Sequence, residues 1–131
     1  MIEPDDKLDV EALISDLKAV KSENEEILRI LQDLPKGIVI LNKDLNVEFI
    51  NNRLKNLLNI RTKSIKKLSA FDYIHPDFRN IVLNLQNKRL SDDLELKLVS
   101  TAGNWFWASI QIDSIYFDGK KCNFLLVSDI S

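Results

Sequence analysis

The stretch GIVILNKDLNVEFINN, residues 37–52, holds two short apolar runs around a polar turn. Successive side chains on a strand point to opposite faces, so Ile38 and Ile40 look one way and Val39 and Leu41 the other. All four are apolar. A sheet with one wet face reads as alternating apolar and polar residues, whereas a strand apolar on both sides belongs to a sheet covered twice. The same pattern returns near the end of the chain, where Phe124 and Leu126 oppose Leu125 and Val127, and Trp105 and Trp107 oppose Phe106, Ala108, Ile110 and Ile112. The fold therefore needs a sheet with two apolar faces and something to lay on each.

One cover is written into the first third. From Asp5 to Leu34 there is no Gly and no Pro, and Pro4 stands where helices often start. Val10, Leu13, Leu17, Val20, Asn24, Ile27, Leu31 and Leu34 follow a 3-4 spacing, a and d positions of a heptad with one polar interruption at Asn24. A single a-position Asn costs stability but fixes register and favours a parallel pair of helices. Asp16 and Lys21 fall at g and the following e, where they can pair between chains. The spacing predicts a homodimer seam about 37 Å long at 1.5 Å per residue. Ile14, Leu28 and Ile30 widen the stripe, which suits a helix lying on its own domain. A wide stripe serves both ends. The helix stops at LPKG, with Pro35 ending it and Gly37 expected to let the chain turn.

The rest reads as α+β. Strands are expected at 37–42 and 46–51 around a turn at Lys43-Asp44, then a helix at Asn52–Asn59 and a short helical turn near Ser64–Leu68. His75-Pro76-Asp77 opens a second helix, with Pro in the first turn and an acid near its positive end. Strands follow at Leu94–Ser100, Trp105–Ser114 and Cys122–Ser128, separated by the turns TAGN and FDGK, so these three form an antiparallel meander. The division is an amino-terminal helix over 1–34 and a five-stranded antiparallel domain over 35–131, helices on one face and the long helix available for the other.

Composition narrows the function. At 131 residues this is one domain's worth. No stretch approaches the ~20 apolar residues of a membrane span, and the acidic start MIEPDDKLDV is no signal peptide. One cysteine, Cys122, builds no internal disulfide and suits a reducing cytosol. The net charge of −2 hides an asymmetry: residues 1–34 carry ten acids and four bases, the remainder ten acids and fourteen bases. The basic run NRLKNLLNIRTKSIKK has no aromatic side chain for stacking bases, so it reads as a solvated surface and not as a nucleic-acid site.

This element order and several local motifs resemble the PAS sensor domain. ILQDLPKGIVILNKDLNVEFINNRLKNLLNI is similar to the family's opening, YIHPDFRNIV to its His-Pro-Asp helix entry, TAGNWFWASIQI to its Gly turn and Trp-bearing strand, and LLVSDIS to its closing Asp-Ile-Thr signature, with Ser131 in place of Thr. The resemblance covers residues 30–131. It implies a five-stranded PAS-like sheet and a regulatory role in a cytosolic signalling protein, above all a two-component sensor histidine kinase. Asp129, Ile130 and Ser131 would hand the signal to a carboxy-terminal effector. That effector is absent from this chain, so an excised sensor is the expectation, with a short free-standing one as the alternative.

Catalytic chemistry is thin. Gly37, Gly103 and Gly119 are scattered and make no phosphate loop. There is no G-x-S-x-G elbow, and one His with one Cys sets no metal-ligand spacing. The chain is expected not to be an enzyme. Some PAS domains hold haem through a histidine of the helix that His75 precedes, but the His-Pro-Asp context reads first as a helix entry. The light-sensing branch uses a Cys-bearing stretch, NCRFLQ, whose counterpart NRLKNLLNI lacks Cys. No cofactor is expected, with haem or noncovalent flavin as the alternative. Cys122 reads as a packed small hydrophobe, Trp105 and Trp107 as core or dimer packing. One of Asn51 and Asn52 should cap the helix that follows.

The candidate ligand pocket comprises Ile38, Ile40, Phe49, Leu54, Leu57, Phe71, Ile74, Ile81, Leu83, Trp107 and Phe124. The rival function is a dimerisation scaffold with a filled core and no ligand.

Overall fold

The computed structural model describes residues 25–81, 94–117 and 119–130. Helix α1 (Glu25–Gln32) leads into strands β1 (Gly37–Leu41) and β2 (Val47–Ile50), and helix α2 (Asn52–Leu58) follows. Three short 3₁₀ turns come next, at Ile65–Lys67, Ala70–Tyr73 and Pro76–Phe78. Strands β3 (Leu94–Val99), β4 (Trp105–Phe117) and β5 (Lys120–Asp129) complete the chain. The five strands form one sheet in the order β2-β1-β5-β4-β3, and every neighbouring pair is antiparallel. The last three strands are the expected meander. Its β4 runs three residues beyond the predicted Ser114, because Ile115, Tyr116 and Phe117 stay paired with Cys122, Lys121 and Lys120.

The first hairpin turns on Asn42. Its Oδ1 accepts the N–H groups of Asp44 at 2.9 Å and Asn46 at 3.1 Å. Leu45 then takes φ 66°, a left-handed conformation that costs a side-chain-bearing residue roughly 1–2 kcal/mol. Burial of its side chain in the core offsets that cost.

Gly37 does not play the expected role, since its φ is not among the positive ones. It is there for close approach. A Cβ would stand 3.0 Å from the Val127 carbonyl oxygen and 3.2 Å from a Leu54 methyl carbon.

Both faces of the sheet are apolar, and each has its cover. The inner face carries Val39, Leu41, Ile50, Leu96, Leu98, Ile110 and Val127, packed under Leu54 and Leu58 of α2 and under the 3₁₀ turns. The outer face carries Ile38, Ile40, Phe49, Ile115, Cys122 and Phe124, packed under Leu28, Leu31 and Leu34. Leu31 is 0% exposed within a single chain. This corrects the seam at its carboxy-terminal end: Leu31 is spent on its own sheet and has nothing to offer a partner helix. Ile30, about 100° around α1 from Leu31, is 48% exposed. Val10, Leu13, Leu17, Val20, Asn24, Leu83 and Ser131 lie outside the described residues, as does the side chain of Ile27.

The outer cover stops short of the far edge. Trp105 and Trp107, on the outer side of β4, are 52% and 38% exposed. Lys97 on the neighbouring β3 places its Nζ 4.2 Å from one ring centroid and 5.3 Å from the other, a cation–π arrangement.

Candidate functional site

Between the inner face and α2 lies a cavity of about 70 Å³ whose walls, among the described residues, are apolar. Each strand contributes alternate residues, as its period of two requires. Val39 and Leu41 come from β1, Val47 and Ile50 from β2, Leu96 and Leu98 from β3, Ile110 and Ile112 from β4, and Leu125 and Val127 from β5. The other wall is Leu54 and Leu58 of α2, then Ile60, Ala70, Tyr73 and Ile74. Interiors normally pack with few voids larger than a water molecule. A fully enclosed hole of this size would cost roughly 1.5–2 kcal/mol at ~24 cal/mol per Å³, and this one is partly open.

Helix α2 is held at both ends. Asn51 is fully buried and caps it. Its Oδ1 accepts the N–H of Leu54 at 3.1 Å and that of Ile38 at 2.9 Å. Its Nδ2 donates to the carbonyls of Leu31 and Lys36, both at 2.8 Å. An amide side chain has two acceptor sites and two donor hydrogens, so Asn51 is saturated, and one residue joins α1, the α1–β1 link, β1 and α2. At the other end Asn59 takes the left-handed C-cap conformation at φ 58°. Thr101 in the β3–β4 turn donates its hydroxyl to the Asn59 carbonyl at 2.7 Å and its N–H to Leu58 at 2.9 Å.

The far edge of the sheet is closed by the segment after the second 3₁₀ turn. Ile74 bridges to Leu98, and the His75 N–H donates to the Lys97 carbonyl at 3.0 Å. His75 Nδ1 accepts the Asp77 N–H at 3.2 Å, which makes His75 the cap of the third 3₁₀ turn; residues 79–81 continue as α-helix. Its ring meets Phe78 edge-on at 6.3 Å, and Phe78 meets Trp107 the same way at 5.6 Å. His75 is not among the cavity walls. Tyr73 is, and its phenol is pushed above the usual value by burial first and by the Asp72 charge second.

The expected pocket and the cavity share Leu54 and Ile74. Leu57 and Phe71 pack against the same inner cluster from behind the walls. Ile38, Ile40, Phe49 and Phe124 lie on the outer face, Trp107 is on the outer side of β4, and Ile81 is 42% exposed. The correction is one of parity, because shifting the facing of a strand by one residue exchanges its whole apolar set. A signal for the right parity existed. Leu94, Leu96 and Leu98 alternate cleanly with polar residues, and the pairings Leu96 with Ala108, Ile110 with Val127 and Val39 with Leu125 carry that facing across the sheet.

Asp129 ends β5 opposite Ala108, and the Ile130 N–H donates to the Trp107 carbonyl at 3.0 Å. Among the described residues no three His, Cys, Asp or Glu side chains gather as a metal site, and no helix is long and apolar enough to cross a membrane.

No sequence-family model and no curated protein matches the chain. Solved structures do. A PAS domain from Desulfitobacterium hafniense superposes with a TM-score of 0.68 at 16% identity, over 78% of this chain and 99% of that one. The PAS domain of an HTR-like protein from Haloarcula marismortui gives 0.66 at 15% identity, over 82% and 96%. The PAS domain of nitrogen regulation protein NR(II) from Vibrio parahaemolyticus gives 0.62 at 18% identity, over 79% and 96%. The chain has the PAS fold.

Proposed function

We propose that this chain is the sensory and dimerisation domain of a cytosolic signal-transduction protein, most specifically a two-component sensor histidine kinase. Its role is regulatory, not catalytic. The observation that carries this reading is the apolar cavity whose wall residue Leu54 is hydrogen-bonded, through Asn51, to the carbonyl of Leu31 in α1. A ligand that prefers one packing of α2 over another would shift α1 through that amide, by no more than its difference in affinity for the two packings. The kinase parent is supported by neighbours of the same fold, among them a PAS domain from a two-component sensor histidine kinase.

The homodimer is supported by the heptad spacing of Val10, Leu13, Leu17, Val20 and Asn24. Because Leu31 belongs to the sheet's own cover, the test must leave α1 intact. The full chain should be a dimer at micromolar concentration and a monomer with Leu13→Glu and Leu17→Glu together. Equal masses would remove the seam.

The sensory reading is tested by amide hydrogen exchange. Ala70→Leu, which fills the cavity from its wall, should change exchange at residues 28–32 of α1 by at least about threefold, along with α2. A change confined to α2 would leave the cavity without an output.

A further inference from the structure

We propose that the cavity's ligand is a small, uncharged, apolar molecule, a dissolved gas or a hydrocarbon of a few heavy atoms. This rests on the cavity being the sensory site and names what that site takes. Three observations carry it.

The first is the chemistry of the walls. Among the described residues they are aliphatic apart from Tyr73, and no polar atom of these residues faces the space. The strands' backbone groups are committed to their ladders. The nearest buried amide, Asn51, has all four of its hydrogen-bonding positions filled by backbone partners. A ligand hydroxyl or amide would leave water and find no partner, and a carboxylate or ammonium would fare far worse. Water meets the same obstacle, since it needs two to four polar neighbours to settle in a cavity.

The second is size. The space is about 70 Å³, roughly half of the ~150 Å³ of an engineered apolar cavity that stays dry and takes up benzene or xenon. The described walls supply neither a nitrogen ligand for a porphyrin nor a polar edge contact for a flavin. His75, the one histidine of the chain, sits outside those walls with its Nδ1 accepting from Asp77.

The third is that the void persists beside a short side chain. Ala70 stands in the wall, where a Leu or Ile would reach into the open space. An apolar guest recovers the dispersion contacts that the wall atoms lack, without any polar group to satisfy.

Xenon is the probe. Methyl and amide NMR spectra of the full chain are recorded under increasing xenon pressure, with imidazole and acetate as polar probes of small size. Saturable shifts are expected at wall methyls such as those of Val39, Ile74, Leu98 and Val127, with none from imidazole or acetate. Ala70→Leu should weaken the xenon response at least tenfold, and Val47→Ile provides a second, gentler filling. Leu98→Ala, which enlarges the space, should admit benzene at least tenfold more tightly than the wild type does. Shifts at the wall from imidazole or acetate would overturn the ligand class and leave a sensory cavity standing. No saturable xenon shift, or one indifferent to both filling variants, would overturn it too. Xenon shifts at the walls with α1 amides unmoved would uphold the ligand class while defeating the sensory reading.

Discussion

The two faces of one sheet are built to different standards. Among the largest side chains with almost no exposure, Leu31, Ile38, Ile40, Ile115 and Phe124 all belong to the outer cluster, while Leu96 alone comes from the inner one. The outer face under α1 holds most of the best-shielded large side chains. The inner face under α2 is as apolar and has more residues, yet it keeps a cavity of about 70 Å³. Apolar composition therefore does not distinguish a clamp from a receptor. Closeness of packing would, and on the proposed reading the clamp is the side that holds α1 and the receptor the side that holds α2.

The largest expected effect is on the outer side. Phe124→Ala should cost about 3–5 kcal/mol, because its neighbours are rigid strand residues that collapse poorly into the gap. Urea unfolding measures it, and a loss under 1 kcal/mol would make the outer face as loose as the inner. Asn51→Asp comes next, at about 2–4 kcal/mol. It keeps the two acceptor roles but turns the donors to Leu31 and Lys36 into a buried carboxylate facing two carbonyls. Exchange protection in α1 should fall more than in β4.

The sharpest test enlarges a residue on each face. Cys122→Leu in the outer cluster should cost about 1–3 kcal/mol by overpacking, whereas Ala70→Leu at the cavity should be neutral or stabilise by up to ~1 kcal/mol. Equal costs would erase the contrast. Gly37→Ala should cost about 1–2 kcal/mol, as the new methyl group presses on the Val127 carbonyl and on Leu54.

The smallest effect is a pH dependence at the cavity wall. Burial raises the Tyr73 phenol above its usual value of 10.0, with Asp72 adding to the shift. The neutral phenol is thus favoured in the folded state. Its contribution is fully present below the unfolded value and is lost as pH rises from there through the folded one. Stability should fall from about pH 10 upward, and Tyr73→Phe should flatten that fall. An unchanged alkaline limb would show Tyr73 to be as well solvated as in the unfolded chain.

Much of this was legible from local chemistry. One of Asn51 and Asn52 announced a helix cap, and it is Asn51; Pro35 announced a stop, and the turns TAGN and FDGK a meander. Those signals act within a few residues and depend little on what packs above them. Two-sided strands at 37–41 and 124–127 required two covers, and two covers are there. The role of Gly37 was not legible, because a glycine needed for close approach looks the same in sequence as one needed for a turn. Nor was the left-handed Leu45, where burial overrides a local preference that the sequence reading had no reason to doubt.

The sequence by itself determined the element order, the antiparallel meander and the need for apolar cover on both faces, since periodicity and turn chemistry are properties of neighbouring residues. Only the tertiary structure decided which of two equally apolar sets, Ile38 with Ile40 or Val39 with Leu41, faces α2, and whether Leu31 serves its own sheet or a partner. When both sides of a strand are apolar, hydrophobicity gives the same free energy to either facing. The choice then falls to register, to the reach of Asn51 and to the volumes that meet across the sheet, and these exist only once distant segments have come together.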